Sequence, residues 1–382
     1  VTGVARLLPT VEAHDLIELT RAVCDEVLAP VVDRHEKEHT YPAKAFQTLG
    51  RAGLLSLPYP VEWGGGGQGY EVYLQVLEEI AARWAAVAVA VSVHSLACHP
   101  LAMFGTEEQK QRWLPEMLEG NSIGAYSLSE PQAGSDAAAL RCQATPTQDG
   151  YRIRGEKAWI THGGIADFYS LFARTGEGSK GISCFLIPAA LPGLSFGKPE
   201  DKMGLHAVPT TAAFYDDAFV PTDRRLGEQG QGLQIAFSAL DSGRLGIAAV
   251  AVGIAQAALD AAVEYAQQRT TFGRKIIDHH GLAFLLADMA AAVNSARATY
   301  LDAARRRDSA MPYTREASVA KLVATDAAMK VTTDAVQVFG GYGYTTDYRV
   351  ERFMREAKIT QIFEGTNQIQ RLVISRSLAK SR

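Results

Sequence analysis

Between residues 71 and 84 the chain reads EVYLQVLEEIAARW, and its apolar side chains recur every three or four positions. Tyr73, Leu77, Ile80 and Trp84 share one side, while Val72, Val76, Glu79 and Arg83 share another. A repeat of 3.6 residues puts such positions on common faces, so this spacing predicts a helix packed over most of its surface. The stretch WAAVAVAVSVHSLA, Trp84 to Ala97, has no polar side and predicts a buried helix; it is too short to span a bilayer and ends in polar residues. In FGTEEQKQRWLPEMLEG, Thr106 is placed as an N-cap, with acids in the first turn where they complement the helix dipole. Ahead of these helices, PVEWGGGGQG predicts a tight loop rather than a phosphate cradle, since it lacks the strand–loop–helix context of a nucleotide motif.

The period changes after about residue 120. YRIRGEKAWIT, GISCFLIP and TTAAFYDDAFVP are short, partly alternating and bounded by Gly, Pro or Asp, which predicts strands. From about residue 229 long helical periodicity returns. LGIAAVAVGIAQAALDAAVEYAQQR is Ala-rich on several faces, and FLLADMAAAVNSARATYLDAARRR and REASVAKLVATDAAMKVTTDAVQVFGG continue the style. Long helices with short connections predict a bundle that also packs against another subunit. The expected fold class is α+β in three domains, spanning 1–120, 121–228 and 229–382.

Composition narrows the classes. A chain of 382 residues exceeds the usual size of one hydrophobic core. With 38 Lys and Arg against 42 Asp and Glu it shows no basic patch for nucleic acid, and no segment is read as apolar for long enough to cross a membrane. Cys24, Cys98, Cys142 and Cys184 form no C-x-x-C pair, so neither a zinc site nor a disulfide framework is expected. The stretch VTGVARLLPTVEAHDL has the character of neither a signal peptide nor an Arg-rich transit segment. The cytoplasm is the expected compartment, or the mitochondrial matrix for a processed eukaryotic chain. The order helix, sheet, bundle has no βαβ repeat and no G-x-G-x-x-G, which disfavours a Rossmann dehydrogenase. G-x-S-x-G, H-E-x-x-H and G-x-x-x-x-G-K-[ST] are absent as well.

Specific strings carry the function. AYSLSEPQAGSD (125–136), GEKAWITHGG (155–164), LDSGRLGIAAVAVGIAQ, QRTTFGRKI (268–276), DAVQVFGGYGYT (334–345) and QIFEGTNQIQRL occur in this order. Together they resemble the acyl-CoA dehydrogenase family, above all its short-chain and short branched-chain members, from about residue 8 to the C-terminus. The resemblance implies an N-terminal helical domain, a middle β domain and a C-terminal four-helix bundle. It also implies an FAD enzyme, usually a homotetramer. Such enzymes oxidise an acyl-CoA to the trans-2-enoyl-CoA, send hydride to flavin N5, and pass electrons to electron-transferring flavoprotein.

On this resemblance Glu364 is the catalytic base. The α proton of a thioester is a very weak acid, so its removal needs a carboxylate whose pKa is raised by burial, and donors aimed at the carbonyl oxygen. In the family those donors are the backbone N–H of the base and a ribityl hydroxyl of the flavin. Isovaleryl- and long-chain-type relatives carry their base where this chain has Gly243, and Arg244 beside it supports the base. Along the flavin the resemblance places Tyr126, Leu128 and Ser129 (Thr in many relatives). It places Ser135 at the pyrophosphate, Trp159 over the ring and Thr161 beside N5. Arg269 and Phe272 reach a neighbouring subunit's FAD, Gln337 and Gly341 lie along the adenosine half, and Thr366 and Gln368 add contacts. His280 replaces an FAD-contacting glutamine. Ser135, Arg244, Glu364 and Gly365 border the substrate. His162 stands where Asn is usual and keeps a donor, without being a metal ligand. His206 stands where Arg is common, in a loop expected near the surface, with no consequence visible in sequence. The expected substrate is a short- or medium-chain acyl-CoA, possibly branched. The acyl pocket is expected along Leu74–Trp84, Val93–Cys98 and Leu233–Leu240, a placement that does not choose among butyryl, isobutyryl, 2-methylbutyryl and medium-chain groups. Two other readings stay open: a flavin oxidase of the same fold, including the nitroalkane oxidase type with an aspartate base, and a non-catalytic acyl-CoA-binding or scaffold relative.

Overall fold

The computed structural model describes residues 4–380; Val1–Gly3 of the N-terminal stretch read above and residues 381–382 of the expected third domain lie outside the described residues. Six helices come first: α1 (Val11–Val23), α2 (Val32–Glu38), α3 (Ala43–Arg51), α4 (Tyr70–Arg83), α5 (Ala85–Phe104) and α6 (Glu107–Leu118). Every residue of α4 except Glu71 is buried, as its two apolar faces require. Its acids survive burial because guanidinium groups surround them: Glu78 pairs with Arg6 and Arg297, and Glu79 with Arg6, Arg21 and Arg83. Burial alone would push both carboxyls up; these cations outweigh it and hold them below the usual range. Trp84 is extended (φ −154°) and separates α4 from α5. Thr106 caps α6 through a full capping box with Gln109.

Eight strands follow: β1 (Gly124–Ser127), β2 (Gln143–Pro146), β3 (Gly150–Thr161), β4 (Phe168–Arg174), β5 (Ile182–Pro188), β6 (Leu194–Phe196), β7 (Thr210–Pro221) and β8 (Arg225–Leu226). They form one sheet in the order β6-β7-β3-β2-β4-β5-β8, with β1 parallel to β4. The antiparallel β3–β7 pair slips register between Lys157 and Ile160. A bulge of this kind re-aims a side chain out of the regular alternation.

The C-terminal part holds α7 (Gly232–Gln268), the hairpin β9 (Thr270–Thr271) and β10 (Arg274–Lys275), then α8 (His280–Asp308), α9 (Thr314–Phe339), α10 (Val350–Thr360) and α11 (Asn367–Lys380). Helix α7 packs against α4 so closely that a Cβ on Gly253 would stand 2.5 Å from the carbonyl oxygen of Glu78. Contacts of this kind explain the Ala-rich faces seen in the sequence.

Two expectations change here. Ala85–Phe104 and Gly232–Gln268 are both long and apolar enough to cross a membrane by length and composition, contrary to the sequence reading. Within the fold, 83% and 78% of their apolar windows are buried, so protein contacts account for the apolarity. His206 also has a consequence. Its ring lies 3.3 Å (Nδ1) from the Glu36 carbonyl and 2.6 Å (Nε2) from the Lys202 carbonyl and stacks on His39 at 4.2 Å, beside a hydrogen bond from the backbone N–H to Glu36 Oε2 (2.8 Å) that does not depend on the side chain. It therefore sutures the sheet region to α2.

Candidate active site

Helix α10 ends at Thr360 and α11 starts at Asn367; Glu364 sits in the turn between them. Thr366 starts α11 as its cap, Oγ1 accepting from Ile369 N–H at 3.3 Å. Glu364 (φ 51°) and Gly365 (φ 89°) are consecutive left-handed residues, which costs energy for glutamate and aims its side chain inward. The turn is clamped from both sides. The Gly365 carbonyl accepts from Lys321 Nζ (2.9 Å) and from Gln370 Nε2 (2.8 Å). The side chain of Asn367 accepts from Lys321 Nζ (3.0 Å) and donates to Thr325 Oγ1 (2.9 Å) and Asp326 Oδ1 (2.7 Å).

Although Glu364 as a residue is partly exposed, both of its carboxylate oxygens are buried and have no hydrogen-bond partner among the described residues. Burial pushes its pKa up to about 7, against the opposing pull of the Lys321 and Arg244 charges. Arg244, on α7, is itself buried and donates to Asp241, leaving its Nε without a partner. The phenols of Tyr70, Tyr73 and Tyr126 lie near enough to feel the Glu364 charge. Oε2 of Glu364 occupies the space where a Cβ of Gly243 would project, 2.0 Å away.

Beside this point lies a cavity of about 10 Å³, bordered by Tyr70 and Tyr73 from α4, Ser95, Leu96 and His99 from α5, and Gly243 from α7. Only the second of the three stretches expected to line an acyl pocket contributes here. Tyr73 stops one residue short of the first, and from the third only Ser238 comes near, through its hydrogen bond to His99 (2.9 Å).

Most of the residues expected along the flavin gather where β1 and the loop after it meet the C-terminal end of β3. Ser129 accepts from Ala158 N–H (2.9 Å), and Leu128 offers its carbonyl to Lys157 Nζ (2.9 Å). Lys157 is fully buried and also pairs with Glu130 at 2.7 Å. Trp159, in the bulge of β3, is 63% exposed at φ 63°, so the strand presents its indole outward. Thr161 is half-buried opposite Thr210. Tyr126 donates to the Ala236 carbonyl of α7 (3.2 Å), tying β1 to the bundle. Ser135 is exposed. His162 is wholly buried; its Nδ1 meets the Gly124 carbonyl at 2.9 Å and must donate, while Gly124 N–H donates to His94 Nδ1 at 3.0 Å.

A second group forms at the far end of α7 and α9. Arg269 lies 6.0 Å from the Tyr342 ring, Phe272 is 97% exposed at φ 50°, and His280 stacks on Phe284. Gln337 and Gly341 are exposed, as is Gln368. Among the described residues no hydrogen bond or ring contact joins Arg269, Phe272, His280, Gln337 or Gly341 to the group on β1 and β3 within one chain. Eight non-glycine residues have positive φ among those described, and four are Trp159, His162, Phe272 and Glu364. A non-glycine residue at positive φ stores strain that its surroundings must offset.

Sequence reasoning missed Lys321 and Lys157. A signal for Lys321 exists: Ala317, Lys321, Ala324 and Ala328 share a helical face of α9, and a lysine on such a face must be paired inside. Lys157 is likewise an inward position of β3, visible only once the bulge is known.

Similarity to known proteins covers the whole arrangement. Three family models match: "Acyl-CoA dehydrogenase, N-terminal domain" over residues 10–121, "middle domain" over 125–218 and "C-terminal domain" over 230–379. An acyl-CoA dehydrogenase of Bacillus subtilis (strain 168) is 44% identical over 94% of this chain and 96% of its own length. The mitochondrial short-chain specific acyl-CoA dehydrogenase of Bos taurus is 43% identical over 97% of this chain and 91% of its own. The structure of butyryl-CoA dehydrogenase from Megasphaera elsdenii superposes with a TM-score of 0.96 at 40% identity, over 98% of this chain and 100% of that one. Likeness of this breadth, running through helices, sheet and bundle alike, leaves one conclusion: the chain belongs to the acyl-CoA dehydrogenase family.

Proposed function

We propose that the protein oxidises a short-chain acyl-CoA, straight or branched, to the trans-2-enoyl-CoA, with Glu364 taking the α proton and electron-transferring flavoprotein receiving the electrons. One observation carries this reading: a carboxylate raised to about 7, buried without a hydrogen-bond partner and held on a strained turn. Such a group has a proton affinity suited to general-base work near neutral pH.

The residues fit FAD. An indole 63% exposed at a strained φ, beside the backbone of Leu128 and Ser129, is a flat apolar face offered to a ring system. Tyr126, Leu128, Ser129, Ser135, Trp159 and Thr161 would hold the flavin half. Thr366 and Gln368 would add contacts, while Arg269, Phe272, His280, Gln337 and Gly341 would meet the pyrophosphate and adenosine half of a neighbouring subunit's cofactor. When bound, FAD supplies the hydride acceptor at N5.

The protein's own part is positioning and proton transfer. Ser135, Arg244, Glu364 and Gly365 border the thioester. The backbone N–H of Glu364 donates to the thioester oxygen, where negative charge grows as the α proton leaves. Dry, unpaired oxygens leave the Glu364 carboxylate free to accept that proton. A short acyl group is favoured by the likeness to short-chain specific acyl-CoA dehydrogenases and to butyryl-CoA dehydrogenase.

The same reading divides the chain at 1–120, 121–228 and 229–382. It makes a homotetramer, or at least a dimer, the working unit, since the exposed Arg269 and Phe272 are offered to a second copy. It places the enzyme in the cytoplasm, or in the matrix for a processed eukaryotic chain. No role with nucleic acid or inside a membrane is proposed.

The test is anaerobic bleaching of the flavin band, near ~450 nm, by saturated acyl-CoAs of increasing length and branching. Rapid bleaching by short acyl groups is expected, and Glu364→Gln should bind acyl-CoA without bleaching. A yellow protein that no acyl-CoA reduces would overturn the substrate. Reoxidation in air within milliseconds would move the assignment to an oxidase. A protein that stays colourless with added FAD would move it to a non-catalytic binder.

A further inference from the structure

Resting on the reading of Glu364 as the base, we propose that Lys321 is its positioning residue. By donating to the Gly365 carbonyl and to Asn367, it fixes the strained turn, and by its charge it sets the pH at which Glu364 becomes able to accept a proton.

Lys321 is fully buried in the first third of α9, and an ammonium ion taken out of water must recover its solvation from the protein. Two of its three donors are used on the base turn, at 2.9 and 3.0 Å. Holding that carbonyl does not by itself require a charge, because the neutral Gln370 amide donates to it as well, at 2.8 Å. The charge therefore needs its own account. Among the described residues Lys321 makes no ion pair within 4.0 Å. The two carboxylates that act on it are Glu364 and Asp326. Asp326 is already engaged by the Gln361 amide (2.6 Å), the Asn367 amide (2.7 Å) and Arg371 (3.1 Å). The Glu364 carboxylate has no hydrogen-bond partner among the described residues. Lys321 Nζ, bound to the Gly365 carbonyl next to the base, and the unpaired Glu364 carboxylate thus sit on the same turn and act on each other electrostatically without an ion pair within 4.0 Å, which leaves the oxygens free to take the substrate proton.

The other groups around Glu364 cannot replace it. Arg244 on α7 is partly neutralised by Asp241, and Tyr70 and Tyr73 on α4 and Tyr126 on β1 are neutral phenols whose ionisation burial pushes up. Burial lowers Lys321 to about 7 and Glu364 opposes that fall, so the two groups titrate as a pair. The sign follows. Glu364 is raised by burial and pulled back by Lys321; removing the cation lets it rise further, and the pH at which the base ionises moves upward.

The experiment uses the FAD-loaded enzyme. Anaerobic bleaching by the best acyl-CoA is timed against pH for the wild type, Lys321→Gln, Lys321→Met and Lys321→Arg. The acid limb should move up by about one unit or more in the Gln and Met variants, the size expected for loss of a nearby opposite charge, and stay in place in the Arg variant. A role in folding alone would lower the rate by one factor at every pH and leave the limb where it was; that result overturns the proposal. A second readout needs no variant of Lys321. The 13C-carboxyl resonance of Glu364, identified by its absence in Glu364→Gln, should titrate in the wild type as a coupled two-step curve well above pH 4.5. A single step at the ordinary glutamate value overturns the proposal even if the Lys321 variants fail to fold. Bleaching that survives in Glu364→Gln would instead remove the base assignment beneath it, so the two failures are distinguishable.

Discussion

Gly243 on α7 and Glu364 on the α10–α11 turn share one point in space: a Cβ on the glycine would lie 2.0 Å from Oε2 of the glutamate. No real side chain tolerates that distance, so the absence of one at Gly243 is what lets the carboxylate reach its position. By the family resemblance, position 243 matches the place where isovaleryl- and long-chain-type relatives carry a base. The two arrangements are alternative ways of delivering a carboxylate to the same spot from different elements.

Gly243→Ala should therefore fold and keep its flavin but push the carboxylate aside. A displacement near 1 Å at the reacting group costs about 10²-fold in rate, and rapid-mixing bleaching measures it. Gly243→Glu alone should be worse, because two carboxylates cannot both ionise at that spacing. Combining it with Glu364→Gly should recover part of the activity. If the double variant is no better than Glu364→Gly alone, the shared-space argument is wrong.

Acid–base behaviour follows from the same burial. Glu364 is raised to about 7 and works only when ionised, so kcat/KM should fall as pH drops below about 7 and level off above it. An acid limb near the ordinary glutamate value would mean that water reaches the carboxylate in the working enzyme.

His162 makes a separate prediction, about stability. Burial lowers it to about 4, whereas the unfolded chain takes up the proton near 6.5. The folded state therefore loses stability as pH falls through that window, by about 2 kcal/mol at pH 5. Asparagine cannot take up a proton and keeps a donor for the Gly124 carbonyl. His162→Asn should thus gain thermal stability relative to the wild type at pH 5, and gain little at pH 8. Parallel melting curves at the two pH values decide it; equal differences would place the acid sensitivity elsewhere.

Arg269 is exposed, and its contact within the chain is with the Tyr342 ring, so Arg269→Ala should leave the fold nearly untouched. If its guanidinium holds the pyrophosphate of a neighbour's FAD, the ratio of flavin to protein absorbance should drop in the purified variant, and the oligomer should loosen with it. Unchanged flavin content would take this arginine out of the cofactor site.

The sequence by itself determined what local periodicity can encode. The buried faces of α4 and α5, the cap at Thr106, the strands β3, β5 and β7, and the long Ala-rich helices all follow from spacings of two or 3.6 residues. The ordered strings also led to Glu364, Trp159 and Arg269. Tertiary structure decided what no local pattern records. Residues 243, 321 and 364 lie on three different elements, and only the packing of α7, α9 and the α10–α11 turn makes them neighbours. The bulge that turns Trp159 outward is a slip of register against β7, set by two strands together. The raised proton affinity of Glu364 comes from water excluded by α4, α5 and α7, whose residues are far from it in sequence. Burial is a property of the whole fold, and so the chemistry of this carboxylate is too.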